Sequence, residues 1–530
     1  MSLTPLAAAP SSPWNPDQGD GTYRNPVLFA DYSDPDVIRV GDDYYLTSSS
    51  FNCVPGLPIL HSKDLVNWRI VNHALPRQIP EDVFDQPQHG NGVWAPCLRF
   101  HDHTFYLYYP DPDFGIYVVT ATDPSKAWSK PVLVKSGRGL IDPTPYWDED
   151  GQAYLLHAWA KSRAGFNNVL TLHKMSADGL RVTDEGRVVI DGNKLAGYGT
   201  LEGPKLYRRA GWYYIFAPAG GVSDGWQSVF RAKNIDGPYE DRIVMDQGQS
   251  PINGPHQGAL VDTVKGEWWF LHFQDRGAYG RVVHLEPVAW KDGWPIIGSD
   301  PDGDGKGEPV LTHKKPNVGA TFPIGEPQTS DDFSAKKSLG LQWQWQANPK
   351  SDWFSLTAEP GCLRLFARPA AATSSLYLQP NLLLQKFPAP EFIATAKISF
   401  HPSTVGERAG LIVFGDSYAW IGLEQTADGI RLRQIVCDHA RPKGSEQETA
   451  SRSLAAKVVY LRVSVRTEAR CEFSASEDGE HFQTLGPEFT ATVGRWMGSK
   501  VGLFSVGLAG ADGRGFADID WFHVTSIASH

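Results

Sequence analysis

Five short segments of this 530-residue chain open on residues able to do chemistry: Asp34-Pro35, Trp94-Ala95-Pro96, Asp142-Pro143, Glu202-Gly203-Pro204 and His256-Gln257-Gly258. Each stands 11 to 14 residues before the centre of an aromatic run. If repeat-equivalent positions converge, three carboxylates meet at one place. That set suits glycoside hydrolysis, where one acid protonates the leaving oxygen and a second carboxylate handles water or bonds to the sugar. A third carboxylate helps keep the proton donor protonated, because like charges raise one another's pKa. Trp94 and Phe51 would present flat apolar faces to the C–H groups of a sugar ring. Taken singly, Asp34, Asp36 and Asp142 have a plainer reading, since Asp-Pro opens turns. Glu202 is harder to dismiss, because apolar neighbours at a strand start would bury it without need. His256 reads as a metal ligand or as a hydrogen-bonded interior imidazole, with no second His or Cys at ligand spacing.

The elements that must position these residues are strands. Short Val, Ile, Tyr, Phe and Trp runs bounded by Gly, Asp, Asn and Pro recur, and helical periodicity is almost absent. The aromatic run reads Asp43-Tyr44-Tyr45-Leu46, Thr104-Phe105-Tyr106-Leu107, Gln152-Ala153-Tyr154-Leu155, Trp212-Tyr213-Tyr214-Ile215 and Trp268-Trp269-Phe270-Leu271. Its third position advances by 61, 48, 60 and 56 residues. Each copy follows a turn-prone segment, as the second strand of a hairpin does. A period of this length with about four strands per copy predicts a five-bladed β-propeller over residues 20–322, whose first strands line a central channel. A Pro-rich linker, Pro323 to Ser330, leads to residues 331–527, which carry strands without the blade signature and predict a β-sandwich.

Composition excludes several classes. With 49 Lys and Arg against 60 Asp and Glu, the net charge is −11, and no basic stripe interrupts it. Nucleic acid and anionic membrane are poor partners on that balance. The five cysteines are odd in number and widely spaced, which argues against a disulfide framework or a zinc knuckle. The beginning, Met1 to Trp14, lacks a basic and then apolar signal pattern. Its Ala, Pro and Ser content suits the exposed start of an exported protein, so a secreted or periplasmic location is expected, with a cytoplasmic one as the alternative. Asp148, Glu149 and Asp150 read as a solvated hairpin tip. The Asp300 to Gly305 loop imitates a calcium loop, but Leu311 stands where a bidentate Glu is required.

The motifs together resemble those of glycoside hydrolase family 43, the inverting five-bladed enzymes that include β-xylosidases and α-L-arabinofuranosidases. The resemblance rests on Arg24-Asn25-Pro26-Val27, Ser33-Asp34-Pro35-Asp36, Leu60-His61-Ser62-Lys63-Asp64-Leu65-Val66-Asn67-Trp68 and Gly92-Val93-Trp94-Ala95-Pro96. It continues in Leu140-Ile141-Asp142-Pro143-Thr144-Pro145, Leu201-Glu202-Gly203-Pro204, Gly254-Pro255-His256-Gln257-Gly258 and Gly280-Arg281. It implies Asp34 as the base that activates water, Glu202 as the general acid and Asp142 as the residue that orients Glu202 and tunes its proton. Arg281 would contact sugar hydroxyls or the carboxylates, and His256 would face the substrate or a water-bound calcium ion. The second domain is similar to the concanavalin-like sandwich of many members. No cofactor is required for the chemistry; at Asp332, Asp518 and Asp520 of the sandwich a structural calcium is weighed against solvated strand-end carboxylates, the reading preferred. The pocket loop Phe51-Asn52-Cys53-Val54-Pro55-Gly56 departs from many xylosidases, which carry an acidic and two aromatic residues there.

The expected activity is therefore exo-acting release of terminal β-D-xylose from xylo-oligosaccharides or arabinoxylan-type polysaccharide. An α-L-arabinofuranosidase or a bifunctional enzyme is the alternative. Two rivals complete the set: a retaining fructosidase, whose Asn-Asp-Pro-Asn, Arg-Asp-Pro and Glu-Cys motifs are missing, and a non-catalytic carbohydrate-binding propeller. Oligomeric state is left open.

Overall fold

The computed structural model describes residues 13–527, apart from 335–336, 370–374, 442–443, 455, 457 and 511–512. The Ala- and Pro-rich beginning therefore lies largely outside the described residues. Five four-stranded antiparallel sheets follow one another along the chain, with strand order equal to chain order in each. Their first strands are Asp36–Val40, Cys97–His101, Leu140–Trp147, Lys205–Arg209 and His256–Asp262, and each aromatic run forms the second strand. The first strands of the first four blades pack side by side in order, the fifth packs against the second and third strands of the fourth blade, and it returns to the first strand of the first. Two short pairings close the ring: Thr22–Arg24 against Thr312–Lys314, and a bridge from Leu28 to Val283.

The aromatic run is doubled for a physical reason. Successive strand residues point to opposite faces, and both faces of a blade are covered by the next blade. Tyr44 packs toward Trp269 of the fifth blade, whereas Tyr45 packs with Phe105 of the second. Tyr213 joins Leu156 of the third blade, and Tyr214 joins Phe270 of the fifth. One apolar layer thus lies between each pair of adjacent blades.

The second unit is a sandwich of two eight-stranded sheets around a core that includes Trp343, Leu411, Ile421, Leu461 and Phe522. Phe29, Tyr279 and Val282 of the propeller join that same core. Polar contacts fix the seam: Tyr279 Oη donates to Pro390 O at 2.9 Å, and Val54 pairs with Trp345 through a backbone bond of 3.0 Å. The turn 494–498 of the sandwich reaches back to the propeller, where Gly498 N donates to Asp31 Oδ2 at 3.0 Å.

Two sequence expectations are corrected. Asp148 is not a free hairpin-tip carboxylate: Tyr213 Oη donates to it at 2.6 Å and Arg208 Nη1 at 3.0 Å, which ties the third blade to the fourth. The three sandwich carboxylates do not gather around a calcium ion. Asp518 is held by both arms of Arg364, Asp520 pairs with Lys397, and Asp332 with His523. Each has a cationic partner of its own.

Candidate active site

The candidate residues sit where the chain enters the first strands: Asp34 and Glu202 just before them, His256 at the first position, and Asp142 at an irregularity inside Leu140–Trp147. Asp34 and Asp142 both adopt left-handed backbone, at φ 56° and 54°, immediately before a proline. Such conformations cost energy for a side chain with a Cβ and persist where the surroundings enforce them, often at functional sites. The same backbone at the same place in two blades orients the two carboxyls alike. Glu202 precedes its strand, which begins at Lys205. The next residue, Gly203, has φ 59°, and a Cβ there would stand 2.8 Å from Gln257 Cγ. Close approach of the fourth and fifth blades therefore requires that glycine.

Asp34 is 6% exposed and is held by three donors. Arg281 Nη1 donates to Oδ1 at 3.1 Å; Ser49 Oγ and Ser33 Oγ donate to Oδ2 at 2.5 and 3.1 Å. Arg281 is itself fixed, with its guanidinium 4.7 Å from the Phe273 ring centroid and its backbone N–H donating to Asp31 Oδ1 at 2.9 Å. It thus faces the carboxylate set.

Asp142 is buried, and Gly203 N donates to its Oδ2 at 2.7 Å. Burial pushes the Asp142 carboxyl up to about 8, and the charges of Glu202 and Asp34 act in the same direction against the Gly203 N–H and Lys205. At neutral pH Asp142 consequently holds its proton, beside Glu202. Glu202 is the member that reaches solvent, with a side chain 24% exposed. Its Oε1 lies 3.1 Å from Nε2 of the fully buried His256. Beneath the acids, Asp36 accepts from Arg99 Nη1 at 2.9 Å and lies 3.6 Å from Lys205 Nζ, filling the channel with paired charge.

His256 does not fit a protein-ligated calcium. Calcium takes oxygen ligands, whereas the ring's one side-chain partner is the Glu202 carboxyl. Among the described residues the one group of three His, Cys, Asp or Glu ligand atoms within mutual reach is Asp300, Asp302 and Asp304, on an exposed loop remote in sequence from these turns. His256 Nδ1 is buried without a hydrogen-bond partner. The interior-imidazole reading of His256 describes its contacts.

The rim joins both domains. Trp94 is half-buried, its Nε1 donates to Gly90 O at 2.8 Å, and the Arg163 guanidinium stands 5.2 Å from its ring centroid. Trp496 of the sandwich turn meets Trp94 edge to face at 6.1 Å. Phe51 is 3% exposed and packs with Cys53, Met497 and Trp94, so it backs the wall. Arg281, Asp275, Arg495 and Trp496 line a cleft of about 280 Å³. Ser49, Asp31 and Trp496 were not among the residues singled out in the sequence, and Ser33 stood there only as part of Ser33-Asp34-Pro35-Asp36. The Ser48-Ser49-Ser50 run directly after the first aromatic strand was the one local signal for Ser49.

Ser49→Ala is expected to lower kcat about tenfold or more, the effect of removing a hydrogen bond to a charged group. KM should move little. The pH profile measured alongside distinguishes this from a folding defect, which would leave the profile of the remaining active fraction unchanged.

Similarity to known proteins agrees with this geometry. Residues 23–295 match the family described as Glycosyl hydrolases family 43, and residues 330–525 match the Beta xylosidase C-terminal Concanavalin A-like domain. A provisionally named β-xylosidase of Xylanibacter ruminicola is 42% identical over 92% of this chain and 87% of its own length. A non-reducing end α-L-arabinofuranosidase of Bacteroides ovatus is 31% identical over 94% of each chain. The crystal structure of a xylan β-1,4-xylosidase from Bacillus halodurans superposes with a TM-score of 0.84 at 27% identity, covering 95% of this chain and 100% of that one.

Proposed function

The chain belongs to glycosyl hydrolase family 43, and on that premise we propose that it removes terminal β-D-xylosyl units from xylo-oligosaccharides by single displacement with inversion. The observation that carries the proposal is the division of the carboxyls into two environments. Asp142 is buried and held by the Gly203 N–H, with the partly exposed Glu202 beside it; the other carboxylate, Asp34, is held by Arg281, Ser33 and Ser49. Glu202 would give the proton to the departing glycosidic oxygen, and Asp34 would take one from the attacking water. Asp142 holds Gly203 N–H and so fixes the backbone next to Glu202, and its burial keeps it protonated at neutral pH. It acts through Glu202 and is a positioning residue.

Action at chain ends is supported by the sandwich turn, which sets Trp496 against Trp94 at the rim. Trp496 is 40% exposed and has left-handed backbone at φ 64°, an exposed aromatic in a strained turn. Trp496→Ala is expected to raise KM for xylobiose about tenfold, the order of one lost aromatic contact, with kcat changed little. Initial rates on xylobiose and on a nitrophenyl xyloside check this, and equal KM in variant and parent would remove Trp496 from the site.

Release of α-L-arabinofuranose is the second reading, favoured by the similarity to the Bacteroides ovatus enzyme and by the pocket loop at Phe51 to Gly56. Rates on nitrophenyl β-D-xylopyranoside, nitrophenyl α-L-arabinofuranoside and xylobiose decide between them. The proposal expects the xyloside and xylobiose to be hydrolysed; cleavage of the arabinofuranoside alone would replace it with the second reading, and hydrolysis of neither would overturn both.

A further inference from the structure

Behind the pocket wall, at the seam of the two domains, Lys500 Nζ lies 2.5 Å from Cys53 Sγ. Both residues are buried, at 4% and 2% exposure. Among the described residues no carboxylate forms an ion pair with Lys500, and Cys53 is the one side chain its amine is seen to bond. An isolated buried ammonium is costly, so a lysine buried with a thiol as its side-chain partner calls for a reason. Met497 places its sulfur 3.8 Å from Cys53 Sγ, and a small cavity lined by His89, Gln346, Met497 and Lys500 reaches the amine. The separation is shorter than ordinary contact between an amine nitrogen and a sulfur, and it suits two atoms joined through one oxygen.

We propose that Cys53 and Lys500 form an oxidative cross-link in which a single oxygen atom joins the lysine nitrogen to the cysteine sulfur. The oxidant is dioxygen. The neutral amine and the thiol lose one N–H and the S–H bond, and N–O and O–S bonds form. One oxygen atom of O₂ stays in the bridge, and the other leaves as water with the two hydrogens. Sulfur and nitrogen each give up two electrons, and the four electrons reduce O₂. Two equivalents of a dithiol reverse the step, returning the amine, the thiol and one water. Sulfur at this oxidation level is the reversible, sulfenic rung of cysteine chemistry.

The position gives the link a consequence. Cys53 is two residues from Phe51, and Lys500 is four from Trp496, so the bridge would fasten the propeller's pocket loop to the sandwich turn at the rim. A cross-link between segments 447 residues apart also restricts the unfolded chain.

The full-length protein, equilibrated with oxygen and digested without reductant, is expected to yield a peptide pair joined between Cys53 and Lys500. Its mass should exceed the sum of the two peptides by one oxygen less two hydrogens. Excess dithiothreitol should dissolve the pair, and the reduced protein should melt a few degrees lower. Cys53→Ser and Lys500→Arg should each abolish the joined peptide, and both should lose the reductant-dependent shift in melting. Recovery of Cys53 as a free thiol, or as a sulfinic acid with Lys500 unmodified, would overturn the proposal. So would a joined peptide that persists in Lys500→Arg. Should a variant fail to fold, the mass of the wild-type peptides before and after dithiothreitol remains decisive.

Discussion

Glu202→Gln and Asp34→Asn should each lower kcat/KM on xylobiose by about 10³-fold, within the range by which a positioned acid or base accelerates proton transfer. The two losses should differ in kind. Glutamine cannot give the leaving oxygen a proton, so the Glu202 variant should lose far less on a nitrophenyl xyloside, whose leaving group departs readily as an anion. Asparagine in place of Asp34 cannot take a proton from water, and that step is common to every substrate. The Asp34 variant should therefore lose by a similar factor on both. Neither change disturbs packing: Glu202 is partly exposed, and the Asp34→Asn side chain can keep its oxygen toward Arg281 and turn its amide N–H to the Ser49 hydroxyl, which can accept. Melting temperatures within a few degrees of the parent are expected, and near-parent turnover in either variant would remove its role.

Asp142→Asn should combine a loss of activity of about 10²-fold or more with a gain in stability. The sign follows from the raised pKa. Asp142 titrates near 8 in the folded protein and near 3.8 in the unfolded chain. The folded state therefore binds the extra proton between those values, and this group's contribution to stability is fully present below pH 3.8 and is lost as pH rises toward 8. Asparagine cannot ionise, and its side-chain oxygen can still accept from Gly203 N. The variant should melt higher than the parent at pH 8, by roughly 1–2 °C for each kcal/mol recovered in a chain of this size. The difference should close toward about pH 4. Thermal melts of both proteins at the acid and alkaline ends of that range check it, and a variant less stable at the alkaline end would mean that the ionised form is tolerated in the fold. A stabilising substitution that removes activity is what a buried acid retained for function predicts.

Much of this was readable before any coordinates. The recurring aromatic run announced the second strands of hairpins, and its interval announced the blades. Asp34, Asp142 and Glu202 could then be grouped because the turns before equivalent strands must meet at one end of the ring. The limits are equally physical. Ser49 reaches Asp34 from the end of a second strand, and nothing local in a Ser-Ser-Ser run says which hydroxyl turns inward. Asp31 matters because it accepts N–H bonds from both Arg281 and Gly498, 250 and 467 positions away. Trp496 enters from the other domain, and repeat arithmetic within the propeller is silent about that turn. His256 illustrates the opposite case. Its place in the repeat was right, but its partner is the Glu202 carboxyl, which residue type alone left open between a proton and a metal.

Proton NMR of the first sugar released from an aryl β-D-xyloside, recorded before the anomers equilibrate, tests the division of labour among the three carboxyls most directly. With Asp34 activating water on the face opposite the leaving group, the first-formed signal should be α-xylose. Initial appearance of β-xylose would make a carboxylate the nucleophile of a double displacement, and the role assigned to Asp34 as the base that activates water would be wrong.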